Sequence, residues 1–131
     1  MIGLDTNVLV RYVVRDDPAQ AAAADRLIDS CTAENPGYLS LLVVVESWWV
    51  LGSAYSYSSE ERREFIEALL EAKELVVESP DLVRGAVRHV ADGADFADAL
   101  IALSGRARGC AEVMTLDKKA AGRAGMTLLA S

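Results

Sequence analysis

Five acidic residues along this sequence are its best candidates for chemistry: Asp5, Glu46, Asp95, Asp98 and Asp117. Asp5 and Asp117 each follow a short apolar segment that is typical of a buried strand. Glu46 is the only charged residue between positions 41 and 51. A charge is rarely buried without a partner, and no lysine or arginine lies near Glu46 in the sequence. A divalent cation shared with Asp5 and Asp98 would supply that partner.

A ligand set made only of carboxylates favours a hard cation. Mg²⁺ or Mn²⁺ held by a few carboxylates, with several waters retained, is the usual arrangement where proteins handle phosphate groups. Such an ion polarises a phosphoryl oxygen and lowers the pKa of a bound water. The chemistry that this pattern predicts is hydrolysis of a phosphodiester by metal-activated water.

Each acid also has a purely structural interpretation. Asp5 or Asp95 would suit the N-cap of a helix, where a carboxylate accepts a main-chain N–H. Asp117, beside Lys118, would suit a turn, and Glu46 would pair with an arginine. The metal site is the simpler hypothesis, since the structural interpretation needs a separate explanation for each residue.

The sequence lacks the motifs of several other enzyme classes. It contains no Gly-x-x-x-x-Gly-Lys phosphate loop, no Gly-x-Gly-x-x-Gly fingerprint and no Gly-x-Ser-x-Gly elbow. The single histidine, His89, is interpreted as a solvated or half-buried helix residue. With Cys31 and Cys110 as the two cysteines, the composition argues against a Cys/His zinc site. We expect reduced thiols in a cytoplasmic protein without a signal peptide or membrane span.

Length and composition predict one domain over residues 1–131, because the 131 residues are 52% hydrophobic and 25% charged. The formal net charge of −7 taken alone argues against a nucleic-acid partner. Assigning four or five of the twenty acids to a metal site weakens that objection. A bound cation would offset their charge and contact phosphate itself.

Apolar segments and helix signals alternate along the chain, which predicts an α/β fold with a parallel sheet covered on both faces. Predicted strands cover residues 1–4, 38–40, 75–77, 112–115 and 126–130. Predicted helices cover residues 8–15, 19–31, 41–54, 80–91 and 96–108, with another after the Ser58–Glu61 capping box. In such sheets the ligand site lies beyond the carboxyl ends of the strands, where Asp5 and Asp117 are expected.

Four segments resemble, in order and spacing, the acidic motifs of PIN-domain proteins, specifically the VapC-type toxins of bacterial toxin–antitoxin pairs. They are residues 5–11 (DTNVLVR), 44–51 (VVESWWVL), 94–102 (ADFADALIA) and 115–119 (TLDKK). The resemblance extends from Met1 to about Leu129. Two positions depart from the family pattern: Leu116, where an aromatic residue is more usual, and Gly105, which follows Ser104 inside the third-motif helix.

The resemblance implies a three-layer α/β/α PIN-like fold with a five-stranded parallel sheet, and a helix around Glu46. It implies an endoribonuclease dependent on Mg²⁺ or Mn²⁺, the toxin of a type II toxin–antitoxin system. The acids it assigns to the metal site are Asp5, Glu46 and Asp98, with Asp117 at a fourth position and Asp95 as a ligand, a supporting group or a cap. Supporting roles fall to Thr6, Asn7 and Thr115, which orient carboxylates or water.

The same resemblance implies protein partners, namely a homodimer and a VapB-like, DNA-binding antitoxin that covers the site in a hetero-oligomer. Candidate RNA contacts are Arg11, Arg15, Lys118 and Lys119, although solvated surface charge explains these four equally well. Trp48 and Trp49 point in different directions on a helix. Core packing is predicted for both, and stacking on a base or a partner is the alternative for one of them.

Two other classes of function remain as alternatives. A PIN-like module that acts through protein binding, with little or no catalysis, is the first, and the complete set of core acids counts against it. A phosphatase or a phospho-receiver domain is the second. The segment Asp5-Thr6-Asn7 lacks the second aspartate of a phosphatase, and no adjacent acidic pair follows the first strand as in a receiver.

Overall fold

The structure, a computed structural model, describes residues 1–130 of the chain. It divides into two compact units, Met1–Glu78 and a second that begins at Ser79. Within the described residues no helix combines the length and apolar character needed to cross a membrane.

The first unit is a three-stranded parallel sheet with four helices. The strands are β1 (Ile2–Gly3), β2 (Gly37–Leu39) and β3 (Leu75–Val77), and the helices are α1 (Thr6–Val14), α2 (Pro18–Asp29), α3 (Leu41–Ser53) and α4 (Ser59–Glu71). Strand β2 lies in the centre and pairs with β1 on one side and β3 on the other. The first residue of β2 is Gly37, and no side chain fits there without a shift of its neighbours, because a Cβ would lie 3.0 Å from a methyl carbon of Leu4.

Helix starts in this unit follow from local sequence. The Asp17 side chain accepts the Gln20 N–H, with Pro18 at the first helical position of α2. At α4 the Ser58 hydroxyl accepts the Glu61 N–H at 3.0 Å, and the Glu61 carboxylate accepts the Ser58 N–H at 2.9 Å. The predicted capping box is therefore confirmed.

A cap deletion provides a first prediction for stability. We expect Ser58→Ala to lower the free energy of unfolding by about 1 kcal/mol, because the Glu61 N–H loses the hydroxyl that accepts it. Chemical denaturation followed by circular dichroism measures this change. Ser59→Ala is the matched control, since Ser58 supplies the N-cap hydroxyl, and an equal loss in both variants would contradict the prediction.

Apolar side chains of α1, β2, α3 and α4 form the core of the first unit, and several are completely buried: Leu9, Leu39, Val44, Leu51 and Ile66. The apolar segment Leu41–Ser53 forms a helix, α3, as predicted, although several of its residues favour a strand. Burial of Val44, Ser47, Trp48 and Leu51 on one face explains the result, because tertiary packing overrides weak propensity.

The second unit contains three helices and a short parallel ladder. Its elements are α5 (Pro80–Ala91), α6 (Phe96–Ala107), β4 (Met114–Thr115), α7 (Lys118–Arg123) and β5 (Thr127–Leu128), with β4 paired to β5. Gly105 does not break α6. A Cβ at this position would lie 2.5 Å from a methyl of Val113, so the glycine permits close packing.

The predicted five-stranded sheet is wrong for the described residues, which form one three-stranded and one two-stranded sheet. Strands β1 and β4 are only two residues long, and each makes a ladder with one neighbour only. Strand β3 and helix α5 have the predicted bounds, and the other predicted elements end within a few residues of the observed ones. Helix α7 was not predicted, because its six residues carry no apolar periodicity.

Candidate functional site

Two carboxylates of the second unit act electrostatically on a third, Asp98. The pKa of Asp98 is raised above the ordinary value of an aspartate, first because the side chain is partly buried and then because the negative charges of Asp95 and Asp117 oppose its ionisation. Asp98 lies in the first turn of α6, Asp95 precedes that helix, and Asp117 follows β4. The spacing of residues 95 and 98 therefore brings two acids together, and the fold adds the third.

Two of these acids are also helix caps. Asp95 Oδ1 accepts the main-chain N–H of Asp98 at 2.9 Å, at the start of α6. Asp117 Oδ1 accepts the N–H of Lys119 at 2.8 Å and that of Ala120 at 3.4 Å, at the start of α7. The cap interpretation is thus correct for both residues. Among residues 1–130, the second carboxylate oxygen of each accepts no hydrogen bond from a side chain or the main chain.

Thr115 supports Asp117 through the main chain. Its Oγ1 accepts the N–H of Asp117 at 3.0 Å, which fixes the turn between β4 and α7. The hydroxyl predicted to assist an acid therefore does so by holding the backbone on which the carboxylate is mounted.

The first unit holds Asp5 and Glu46, and both side chains are exposed. Asp5 occupies the N-cap position of α1 but accepts no capping hydrogen bond, so the structural interpretation fails for this carboxylate. Glu46 lies on the solvent side of α3, and within the described chain it forms no ion pair. The premise of a buried, uncompensated Glu46 is wrong, because the buried face of α3 is the one that carries Ser47 and Trp48.

Two buried hydroxyls next to these acids lack a hydrogen-bond partner in the described part of the chain. They are Thr6 Oγ1, beside Asp5, and Ser47 Oγ, beside Glu46. A buried hydroxyl without a partner is costly, so each is a candidate to bind a water or another polar group. Asn7 is exposed and lines a cavity of about 360 Å³ together with Arg11 and Gln20.

The two candidate arginines of α1 are engaged inside the first unit. Arg11 donates to Gln20 Oε1 at 2.7 Å, to Asp16 Oδ1 at 3.0 Å and to the Tyr55 hydroxyl at 2.8 Å. Arg15 forms a bidentate pair with Asp25, at 2.9 and 2.7 Å. These contacts raise the pKa of both arginines and lower that of Asp25. The structure therefore gives Arg11 and Arg15 a role in joining α2, and the segment that precedes it, to α1.

Lys118 and Lys119 begin α7 and are exposed next to Asp117. Their ammonium groups form no ion pair within residues 1–130. Of the four basic candidates, these two keep their charge available to a phosphate.

The two tryptophans of α3 have different surroundings. Trp48 is buried, with the Arg62 guanidinium 4.4 Å from its ring centroid, so core packing is confirmed. Trp49 is 66% exposed, and the prediction that it packs in the core is wrong. A helix turns by about 100° per residue, and Trp49 points away from the buried face of α3 that carries Trp48. His89 is half-buried in α5, and both cysteines are free, as predicted.

A family model described as the PIN domain matches residues 2–125 of the chain. The protein belongs to the PIN domain family. PIN domains are generally nucleases and typically use divalent metal ions. A search of curated proteins gave no match to this sequence.

The acids of this PIN domain suit a divalent cation by the type of donor atom that they offer. No group of three or more His, Cys, Asp or Glu side chains within residues 1–130 is arranged to hold a metal ion. Mg²⁺, however, is usually bound through one or two carboxylates and keeps several waters, so a preformed cage of three is not required. Asp98 among two further carboxylates provides the donor chemistry that such an ion favours.

One polar residue of this PIN domain that sequence reasoning missed is Glu78, which directly follows β3. Its Oε1 accepts the main-chain N–H of Leu41, the first residue of α3, at 2.9 Å. The signal that selected Asp5 and Asp117, an acid at the end of a short apolar strand, is equally present at Glu78 and would have found it.

Proposed function

We propose that this PIN domain is an endoribonuclease dependent on Mg²⁺ or Mn²⁺. The observation that carries the proposal is Asp98, whose ionisation is opposed first by partial burial and then by the carboxylates of Asp95 and Asp117. Asp95 and Asp117 each cap a helix, and a cation-binding site would in addition explain why both lie near Asp98. The proposed metal-site acids are Asp5, Glu46, Asp98 and Asp117, with Asp95 assisting.

When bound, the cation supplies Lewis-acid activation of water and of the phosphoryl group. The residues of the chain would bind this cation and orient the carboxylates that hold it. Asp95 and Asp117 keep one oxygen each on a helix N-terminus, which fixes the direction of the other. Thr115 holds the turn that carries Asp117, and Thr6 is placed beside Asp5 with a free buried hydroxyl.

The distribution of charge supports an RNA contact at Lys118 and Lys119. Residues 1–78 contain six Lys and Arg against fourteen Asp and Glu, a formal charge of −8. Residues 79–131 contain seven against six, a formal charge of +1. Phosphate contacts need available cations, and those of the first unit include Arg11 and Arg15, which are already paired with acids.

The biological role that we propose is the toxin of a type II toxin–antitoxin pair, acting in the cytoplasm. Support comes from the motif resemblance to VapC-type toxins. The same resemblance supports a homodimer and a VapB-like, DNA-binding antitoxin. The acidic first unit suits a basic partner segment, since opposite charges steer association.

Metal removal tests the enzymatic proposal. Purified protein with 5′-labelled single-stranded RNA is expected to give discrete internal cuts in Mg²⁺ or Mn²⁺, and none in EDTA, because the acids alone cannot activate water. Restored cleavage after Mg²⁺ is added in excess of EDTA is the control. Expression in bacteria is expected to arrest growth. Cleavage that persists in EDTA, or metal-supplied protein that binds RNA without cutting it, would instead support another mechanism or the binding-module alternative.

A further inference from the structure

Glu78 forms hydrogen bonds on both sides of the turn that connects β2 to α3. This turn is a single residue, Ser40, between Leu39 and Leu41. The Glu78 main-chain N–H donates to the Leu39 carbonyl at 2.9 Å, and its Oε1 accepts the Leu41 N–H at 2.9 Å. The Tyr38 hydroxyl is hydrogen-bonded to the same carboxylate, and burial together with this acid raises the Tyr38 pKa. One residue thus contacts the chain on both sides of the turn.

The first turn of α3 is stabilised by two side chains. Ser40 Oγ accepts the Val43 N–H at 3.2 Å, and Glu78 accepts the Leu41 N–H. A helix start leaves several N–H groups without intrahelical partners, and a negative charge is favourable there. Ser40 directly precedes α3 in the chain, whereas Glu78 reaches the start of this helix from the end of β3. Glu78 is therefore the side chain that ties the start of α3 to the sheet.

Helix α3 carries Glu46, one of the proposed metal-site acids. Glu46 lies five residues after Leu41, which is about 7.5 Å along the helix axis. A change of about 10° in the direction of the helix at its start would move the Glu46 backbone by roughly 1 Å. Misplacement of a functional group by about 1 Å is enough to lower a rate by as much as 10²-fold. The direction in which α3 leaves the sheet thus decides where the Glu46 carboxylate lies.

We propose that Glu78 is a positioning residue that sets this direction and thereby places Glu46 for metal binding. The inference rests on the proposed function, since it assigns Glu46 to a cation. Glu78 is not among the proposed metal-site acids; its Oε1 accepts the Leu41 N–H, and its carboxylate contributes to the raised pKa of Tyr38.

The test compares Glu78→Ala and Glu78→Gln with Ser58→Ala, which removes a cap from α4, a helix without proposed site residues. Glu78→Ala is expected to weaken Mn²⁺ binding, measured by titration calorimetry, by about 10-fold, and to lower kcat by a similar factor with little change in KM. Glu78→Gln keeps an oxygen acceptor for the Leu41 N–H and is expected to restore most of both. Amide hydrogen exchange is expected to accelerate at residues 41–45 in Glu78→Ala only.

Ser58→Ala is expected to lower thermal stability without changing Mn²⁺ affinity. Unchanged Mn²⁺ affinity in Glu78→Ala would overturn the inference and leave Glu78 as a helix cap. Wild-type protein that binds no Mn²⁺ would overturn it as well. Wild-type protein that binds Mn²⁺ but cuts no RNA would sink the proposed nuclease, while the affinity and exchange measurements would still decide the role of Glu78.

Discussion

Asp98→Asn is expected to reduce metal-dependent RNA cleavage by about 100-fold or more, the loss that follows removal of a group acting directly on transition-state charge. The substitution removes the carboxylate charge and keeps the shape of the side chain. The cap of α6 is preserved, because Asp95 accepts the main-chain N–H of residue 98. Initial rates at saturating Mg²⁺ with a labelled RNA measure the effect.

Asp92→Asn is the matched control, since it removes one acid from the same unit at the exposed end of α5. We expect its cleavage rate to stay within about twofold of wild type, as is usual for surface changes. Equal activity in Asp98→Asn and the wild type would contradict the assignment of Asp98. Equal losses in both variants would point to a general effect of acidic charge.

The raised pKa of Asp98 also predicts a pH dependence of stability. In the folded protein this carboxyl holds its proton more tightly than in the unfolded chain, so its ionisation at neutral pH lowers the free energy of unfolding. As the pH falls through the raised pKa towards the ordinary aspartate value of 3.8, this destabilisation disappears. Relative to Asp98→Asn, wild-type protein is therefore expected to gain stability over that range in metal-free denaturation experiments. A difference in the free energy of unfolding between the two proteins that stays constant with pH would contradict this prediction.

Phe96→Ala is expected to lower the free energy of unfolding by about 3–5 kcal/mol. Phe96 is the first residue of α6 and is completely buried, so truncation removes a large apolar contact and leaves a cavity. Since domains are stable by only about 5–15 kcal/mol, this single change removes a large share of the total. Denaturant unfolding followed by circular dichroism measures the loss.

Ile101→Ala tests whether burial is the cause of that effect. Ile101 lies on the same helix and is 55% exposed, so its truncation is expected to change stability by no more than about 0.5 kcal/mol. Similar losses in the two variants would show that helix α6 responds to any truncation, and would contradict the interpretation from burial.

Sequence patterns predicted those parts of the fold that depend on neighbours in the chain. The capping box at Ser58 and the helix from Pro80 to Ala91 are set by contacts within a few residues, and both were correct. The interaction of Asp95 with Asp98 is of the same kind. Asp117 is distant in sequence, and its position after a strand together with the motif resemblance indicated that it belonged with them.

Features that depend on tertiary packing were harder to predict. Apolar composition in α3 gave no means to decide which of Trp48 and Trp49 is buried, since that depends on the face that packs against α1 and α4. The same uncertainty made Glu46 seem buried. Strand pairing could not be predicted from the sequence either, because two-residue strands such as β1 and β4 carry no pattern that selects a neighbouring strand.

The caps formed by Asp95 and Asp117 bear on the ion selectivity of the proposed metal site. Each residue uses Oδ1 for main-chain N–H groups, which leaves one oxygen to offer. Ca²⁺ takes six to eight oxygens and often binds a carboxylate through both of them, whereas Mg²⁺ accepts single oxygens in an octahedral arrangement. Carboxylates restricted to monodentate coordination therefore discriminate against Ca²⁺. The hydrogen bonds that start two helices would thus also determine which ion the protein accepts.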